Sequence, residues 1–240
     1  MASSPGASRF LISWSVFRAL AALTIAFTLV YLFAHDLSYV QAADDPPAAH
    51  VPTYVANFFS YFTIESNIFA ALYLGAAALW GLTRGRRGAR PSRALAIFQV
   101  LAACCMLLTG VVYNVLLRGD DTAGGVAPYV EWTSELMHVV APLVLLIDVL
   151  IAPRPRRIPW AALLVPIGYA IAYVAYTLMR APFIVSPVGG APSWYPYPFF
   201  NPAVQGGWGG VLTYIGVMSV GFAVFSAALV AFLRWRARPR

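Results

Sequence analysis

The chain of 240 residues is 60% hydrophobic and only 10% charged, with a mean hydropathy of +0.72. A soluble domain carries roughly a quarter charged residues, and one this apolar would expose surface that aggregates, so the composition excludes an ordinary soluble protein. The net charge of +7 does not point to nucleic acid, because the basic residues sit in short runs between apolar stretches rather than clustering on one polar, aromatic-studded face.

A spanning helix needs about 20 mostly apolar residues. Six stretches qualify, near 12–34, 54–82, 94–117, 127–151, 158–179 and 209–233. The expected fold is therefore all-α, a polytopic membrane bundle of six transmembrane helices forming a single domain over 1–240. The first apolar run, Leu11 to Ala34, is much longer than the roughly 7–15 residues of a signal-peptide core, so a retained helix is expected despite the small-residue sequence Val40-Gln41-Ala42. The adjacent Cys104 and Cys105 in the third stretch lack the spacing of a disulfide framework or a zinc site and read as small buried residues.

Arginine placement sets the expected orientation. All sixteen basic residues are arginine. Arg84, Arg86, Arg87, Arg90 and Arg93 fill the second connection, Arg154, Arg156 and Arg157 the fourth, and Arg234, Arg236, Arg238 and Arg240 the tail; Arg9 and Arg18 mark the N-terminal side. The opposite connections hold Asp36, Asp44, Asp45, Asp120 and Asp121, with Arg118 and Arg180 as the basic residues. Both termini are thus expected on the cytoplasmic side of the plasma membrane, which agrees with an even number of crossings. Arg18 and Asp148 lie near cytoplasmic helix ends, placed to pair or to snorkel.

The fifth connection carries Ser193-Trp194-Tyr195-Pro196-Tyr197-Pro198-Phe199-Phe200. Its prolines prevent a helix and its Trp and Tyr favour the membrane interface. It reads either as a rigid cap over the outer mouth, with Trp194, Tyr195 and Tyr197 facing a cavity, or as an interfacial anchor alone. Arg180, beside it, is placed to hold an anionic head group or carboxylate.

Polar side chains inside a bilayer are costly, and two groups stand out. In Phe58-Phe59-Ser60-Tyr61-Phe62-Thr63-Ile64-Glu65-Ser66-Asn67, the residues Ser60, Thr63 and Asn67 share one helical face, while Glu65 projects elsewhere and needs its own partner or a proton. In the fourth stretch Glu131, Glu135 and His138 form one stripe, and Pro142 leaves the His138 carbonyl without its helical donor. Counting from the helix starts places Thr63 and His138 at one depth, roughly 14–17 Å along each axis. A hydroxyl and an imidazole at one level make a nucleophile and a general base, with Glu135 positioned to orient the ring and Ser60 or Asn67 as oxyanion donors. The competing reading is structural: a membrane threonine bonds its own i−4 carbonyl and a membrane histidine bridges helices.

These three motifs, Phe58 to Asn67, His138 followed by Pro142, and Trp194 to Phe199, resemble in this order a group of actinobacterial six-pass membrane proteins of unassigned function. That group is distantly similar to the androgen-induced and androgen-dependent multi-pass proteins of animals, which hydrolyse fatty acid esters of hydroxy fatty acids with an intramembrane threonine and histidine. The resemblance implies Thr63 as nucleophile and His138 as base. The expectation is an intramembrane threonine hydrolase acting on lipid esters from an outward-opening polar cavity, with membrane lipids as partners. The alternative is a non-enzymatic protein that binds or carries a small lipid or solute. No cofactor is implied. No metal is implied either, since His35 and His50 fall in the first outer connection, away from His138.

Overall fold

The computed structural model describes residues 5–119, 126–153 and 155–238. Among them the chain is all-helical, without strands, and six of its seven helices are long and apolar enough to cross a membrane, the architecture of a multi-pass membrane protein. Asp120, Asp121, Arg154 and Arg240, which contribute to the charge asymmetry, lie outside the described residues.

Helix α1 spans Pro5–Ala42 and runs past the expected end at residue 34, because no helix breaker precedes Pro46-Pro47. His35 therefore lies on a helix rather than in the first connection. The second expected span is two helices, α2 over Val51–Phe58 and α3 over Phe62–Leu82. Helix α2 begins with Pro52 in its first turn, and His50 caps it by accepting from the Thr53 N–H at 3.3 Å. The chain then turns at Phe59 to Tyr61, where Tyr61 is extended (φ −78°, ψ 125°), before α3 starts. Helix α4, Arg93–Leu117, starts at a Ser92 cap that accepts from the Leu95 N–H at 3.1 Å and ends in a π turn over Tyr113–Leu117. Helix α5, Glu131–Ile151, contains a second π turn at Leu136–Val140, immediately before Ala141-Pro142. Helices α6 (Trp160–Phe183) and α7 (Trp208–Arg236) complete the bundle.

Helix α4 is central and touches α3, α5, α6 and α7, while α1 lies along α3. The α1–α3 approach is close because Gly81 lacks a side chain: a Cβ there would lie 2.0 Å from Ser15 Oγ. The outward surface is apolar, with Leu23 67%, Val217 69% and Val220 65% exposed, as lipid contact allows and water does not. Cys104 and Cys105 are buried and unpaired.

Near the arginine-rich end, Arg18 and Asp148 pair inside the bundle. Arg18 donates through Nε to Asp148 Oδ1 at 2.6 Å and through Nη2 to Oδ2 at 3.1 Å. The Tyr73 hydroxyl and the Trp14 indole also donate to the carboxylate, at 2.7 and 2.8 Å. One buried ion pair thereby ties α1, α3 and α5 together.

Candidate functional site

The break before α3 builds the site. A helix start leaves its first N–H groups without intrahelical acceptors, and in α3 these amides lie inside the protein. Tyrosine hydroxyls meet them: the Phe62 N–H donates to Tyr173 at 3.2 Å and the Thr63 N–H to Tyr197 at 3.1 Å. Tyr173 itself donates to the Ser60 carbonyl at 3.0 Å. On α6, Tyr169, Tyr173 and Tyr176 recur at i, i+4 and i+7, one helical face. All three address the segment around the break, since Tyr169 donates to the Glu65 carboxylate and Tyr176 meets Ser60 Oγ at 2.9 Å.

Thr63 is the second residue of α3, not nine residues into a continuous helix, and it still meets His138. Thr63 Oγ1 is 3.1 Å from His138 Nε2. The tautomer follows from the other ring nitrogen. His138 Nδ1 lies 2.9 Å from the Ser134 backbone oxygen, which only accepts, so Nδ1 carries the proton and Nε2 presents a lone pair to the threonine hydroxyl. The Tyr113 ring stacks on the imidazole at 3.9 Å and 15°, and Ser134 Oγ is 3.1 Å from Nδ1 while donating to the Tyr113 hydroxyl at 3.1 Å. The Tyr197 hydroxyl lies 3.3 Å from Thr63 Oγ1.

Pro142 has the consequence expected for the His138 carbonyl. Without a helical donor, that oxygen accepts from Asn114 Nδ2 at 3.2 Å, and the π turn accommodates the proline ring. Gly110 lets α4 approach here, since a Cβ on it would lie 2.9 Å from Pro142 Cβ.

Several side chains stand elsewhere than expected. Glu135 does not orient the imidazole; it pairs with Arg118 at 2.8 Å on the exposed side of α5, and Ser134 takes the orienting place. Ser60 and Asn67 are not free as oxyanion donors: the Ser60 hydroxyl donates to the Ala56 carbonyl at 2.6 Å, and the Asn67 amide donates to the Thr63 and Met137 carbonyls at 2.9 and 3.3 Å. Glu131 is exposed at the start of α5. Arg180 donates to Asn57 Oδ1 at 2.7 Å and lies over the Trp194 ring at 5.4 Å, joining α6 to α2. Tyr195 is half-buried at the edge of the aromatic cluster.

A partly open cavity lies beside Thr63, between α4, α6 and α7. Its walls are mainly apolar, including Leu108, Val174, Met218 and Phe222, with Phe199 and Phe200 from the fifth connection; Thr63, Thr109, Tyr113, Tyr173 and Tyr197 are polar members. The expected polar chamber is thus an apolar one with hydroxyls gathered around Thr63. His138, bonded to Thr63, is behind that wall. No family model matches the chain, and no curated protein or solved structure does.

The residues that sequence reasoning missed are Tyr113, Asn114, Ser134, Tyr169, Tyr173 and Tyr176. The α6 tyrosines carried a legible signal, the same i, i+4, i+7 spacing that singled out Glu131, Glu135 and His138. Ser134 did not, because the atom that fixes the ring is a backbone oxygen that every residue has.

Proposed function

We propose that the protein is an intramembrane hydrolase of lipid esters, with Thr63 as nucleophile and His138 as general base. The observation that carries this reading is the Thr63 Oγ1 to His138 Nε2 contact, with the tautomer set by Ser134, in the wall of an apolar cavity. As the second residue of α3, Thr63 has no helical i−4 carbonyl to bond; its hydroxyl faces an imidazole lone pair, the pairing that activates a nucleophile.

In this reading the fatty chain lies among Leu108, Met218 and Phe222 and the ester carbonyl sits at Thr63. His138 Nε2 takes the hydroxyl proton as Oγ1 attacks the carbonyl carbon, then gives that proton to the departing alkoxide. Water attacks the acyl-threonine, His138 again accepts a proton, and the acid leaves as Thr63 regains its hydrogen. The developing oxyanion needs donors in place before the reaction. The Tyr197 hydroxyl, 3.3 Å from Thr63 Oγ1, supplies one, beside the positive end of the α3 dipole. Burial pushes the Tyr197 hydroxyl up to about 12, so it keeps its proton throughout the neutral range. The arginine distribution supports a plasma-membrane protein with both termini cytoplasmic and Thr63 toward the outer leaflet.

The test is turnover of a fluorogenic long-chain fatty acid ester by the purified protein in detergent. Wild type is expected to release product, with Thr63→Ala and His138→Ala each reduced by at least about 10³-fold. Saturable binding of the ester without turnover by folded wild type would instead assign a lipid-binding or carrier role to the cavity.

A further inference from the structure

A second, partly open cavity lies at the opposite end of the bundle and takes no part in the proposed hydrolysis. Its wall contains three guanidinium groups, Arg18, Arg156 and Arg236, together with Tyr73, Gln99 and Trp80. Arg18 is neutralised by Asp148. Among the described residues Arg156 and Arg236 bond backbone oxygens alone: Arg156 Nη1 donates to the Pro91 carbonyl at 2.9 Å, and Arg236 to the Val149 and Ala152 carbonyls, through Nη1 and Nη2. Each guanidinium carries five N–H donors, more than these bonds use, and neither forms a salt bridge among the described residues. Trp80, 9% exposed, adds an indole N–H that is buried and has no acceptor.

Two guanidinium groups without an ion pair among the described residues, their remaining N–H donors and a buried orphan donor around one void are the complement of an anion with several acceptor oxygens. We propose that this cavity binds a phosphate group, the head group of an anionic phospholipid at the arginine-rich face. Planar guanidinium forks match phosphate oxygens in pairs, and basic pockets between helix ends are where such head groups dock. Arg156 comes from the connection between α5 and α6 and Arg236 from the end of α7. The bound phosphate therefore clamps the end of α7 to the α3–α4 and α5–α6 connections. It acts on the bundle as a whole, without contact to Thr63.

The experiment measures the thermal midpoint of the full chain in an uncharged detergent, with added phosphatidylglycerol, phosphatidylcholine or inorganic phosphate, and counts bound lipids by native mass spectrometry. Phosphatidylglycerol is expected to raise the midpoint and to remain bound one per chain, where phosphatidylcholine does not. Arg156→Gln is expected to weaken that binding about tenfold, while Arg90→Gln, which removes an exposed charge from the neighbouring connection, leaves it unchanged. Stabilisation by inorganic phosphate at comparable concentration would assign the same site to a free anion. Equal effects of the two lipids together with none from phosphate, or equal losses in Arg156→Gln and Arg90→Gln, would overturn the proposal by reducing it to unspecific solvation or charge.

Discussion

At the scale of the residue, two groups converge on one hydroxyl. His138 offers Thr63 a lone pair because Ser134 holds the proton on the other nitrogen. Tyr197 bonds both the amide and the hydroxyl of the threonine. Tyr197→Phe keeps the ring and its stacking on Phe199 while removing the donor, so ester hydrolysis is expected to fall by about 10²–10³-fold in kcat with little change in KM. The pH profile separates a donor from an acceptor. With a hydroxyl at about 12, Tyr197 is half deprotonated only near that pH and keeps its proton well below it. Wild-type activity should then show no alkaline limb from this group below about pH 10, and Tyr197→Phe should be lowered by the same factor across that range. An alkaline limb that disappears in Tyr197→Phe would contradict the assignment.

At the scale of the element, the site depends on three departures from regular helix: the break at Phe59 to Tyr61 and the two π turns, Tyr113–Leu117 and Leu136–Val140. π turns inside helices often accompany functional positions. The second is tied to Pro142, which denies a donor to the His138 carbonyl and leaves Asn114 to supply one. Pro142→Ala returns that N–H and permits a regular helix. Stability measured by thermal unfolding should be unchanged or higher, and hydrolysis should drop by about tenfold or more as the imidazole moves relative to Thr63; unchanged turnover would mean that the π turn does not position the ring. The break before α3 was not legible in the sequence because no glycine or proline marks it, and Phe58-Phe59-Ser60-Tyr61 is as apolar as the helices on either side. Thr63 and His138 were legible as a pair although the depth count assumed a continuous helix, since both polar groups had to be buried against something polar. Their contact distance and the role of Tyr197 were not legible, because they depend on how far the fifth connection folds back into the bundle.

At the scale of the molecule, six apolar runs read directly as six long helices, because their length follows from the thickness of the bilayer. Charge was legible where it pairs across helices only in part: Arg18 with Asp148 follows from both lying near the same end, whereas Arg118 with Glu135 brings together residues assigned to different tasks. The Arg18–Asp148 pair is enclosed, at 3% and 0% exposure, and removing one partner strands the other charge. Asp148→Leu is expected to destabilise the protein by about 3–5 kcal/mol, while Arg18→Met combined with Asp148→Leu recovers most of that loss. Unfolding in detergent as a function of added denaturing surfactant checks this, and a double variant no better than the single one would show that Trp14 and Tyr73 depend on the carboxylate itself.

The central claim is that Thr63 is a nucleophile activated by His138. The most direct test is covalent labelling of the detergent-purified protein with a fluorophosphonate probe, mapped by peptide mass spectrometry. The account predicts one adduct on Thr63, absent from Thr63→Ala and from a folded His138→Ala. A folded wild type that takes no label, or takes it equally in both variants, would contradict it.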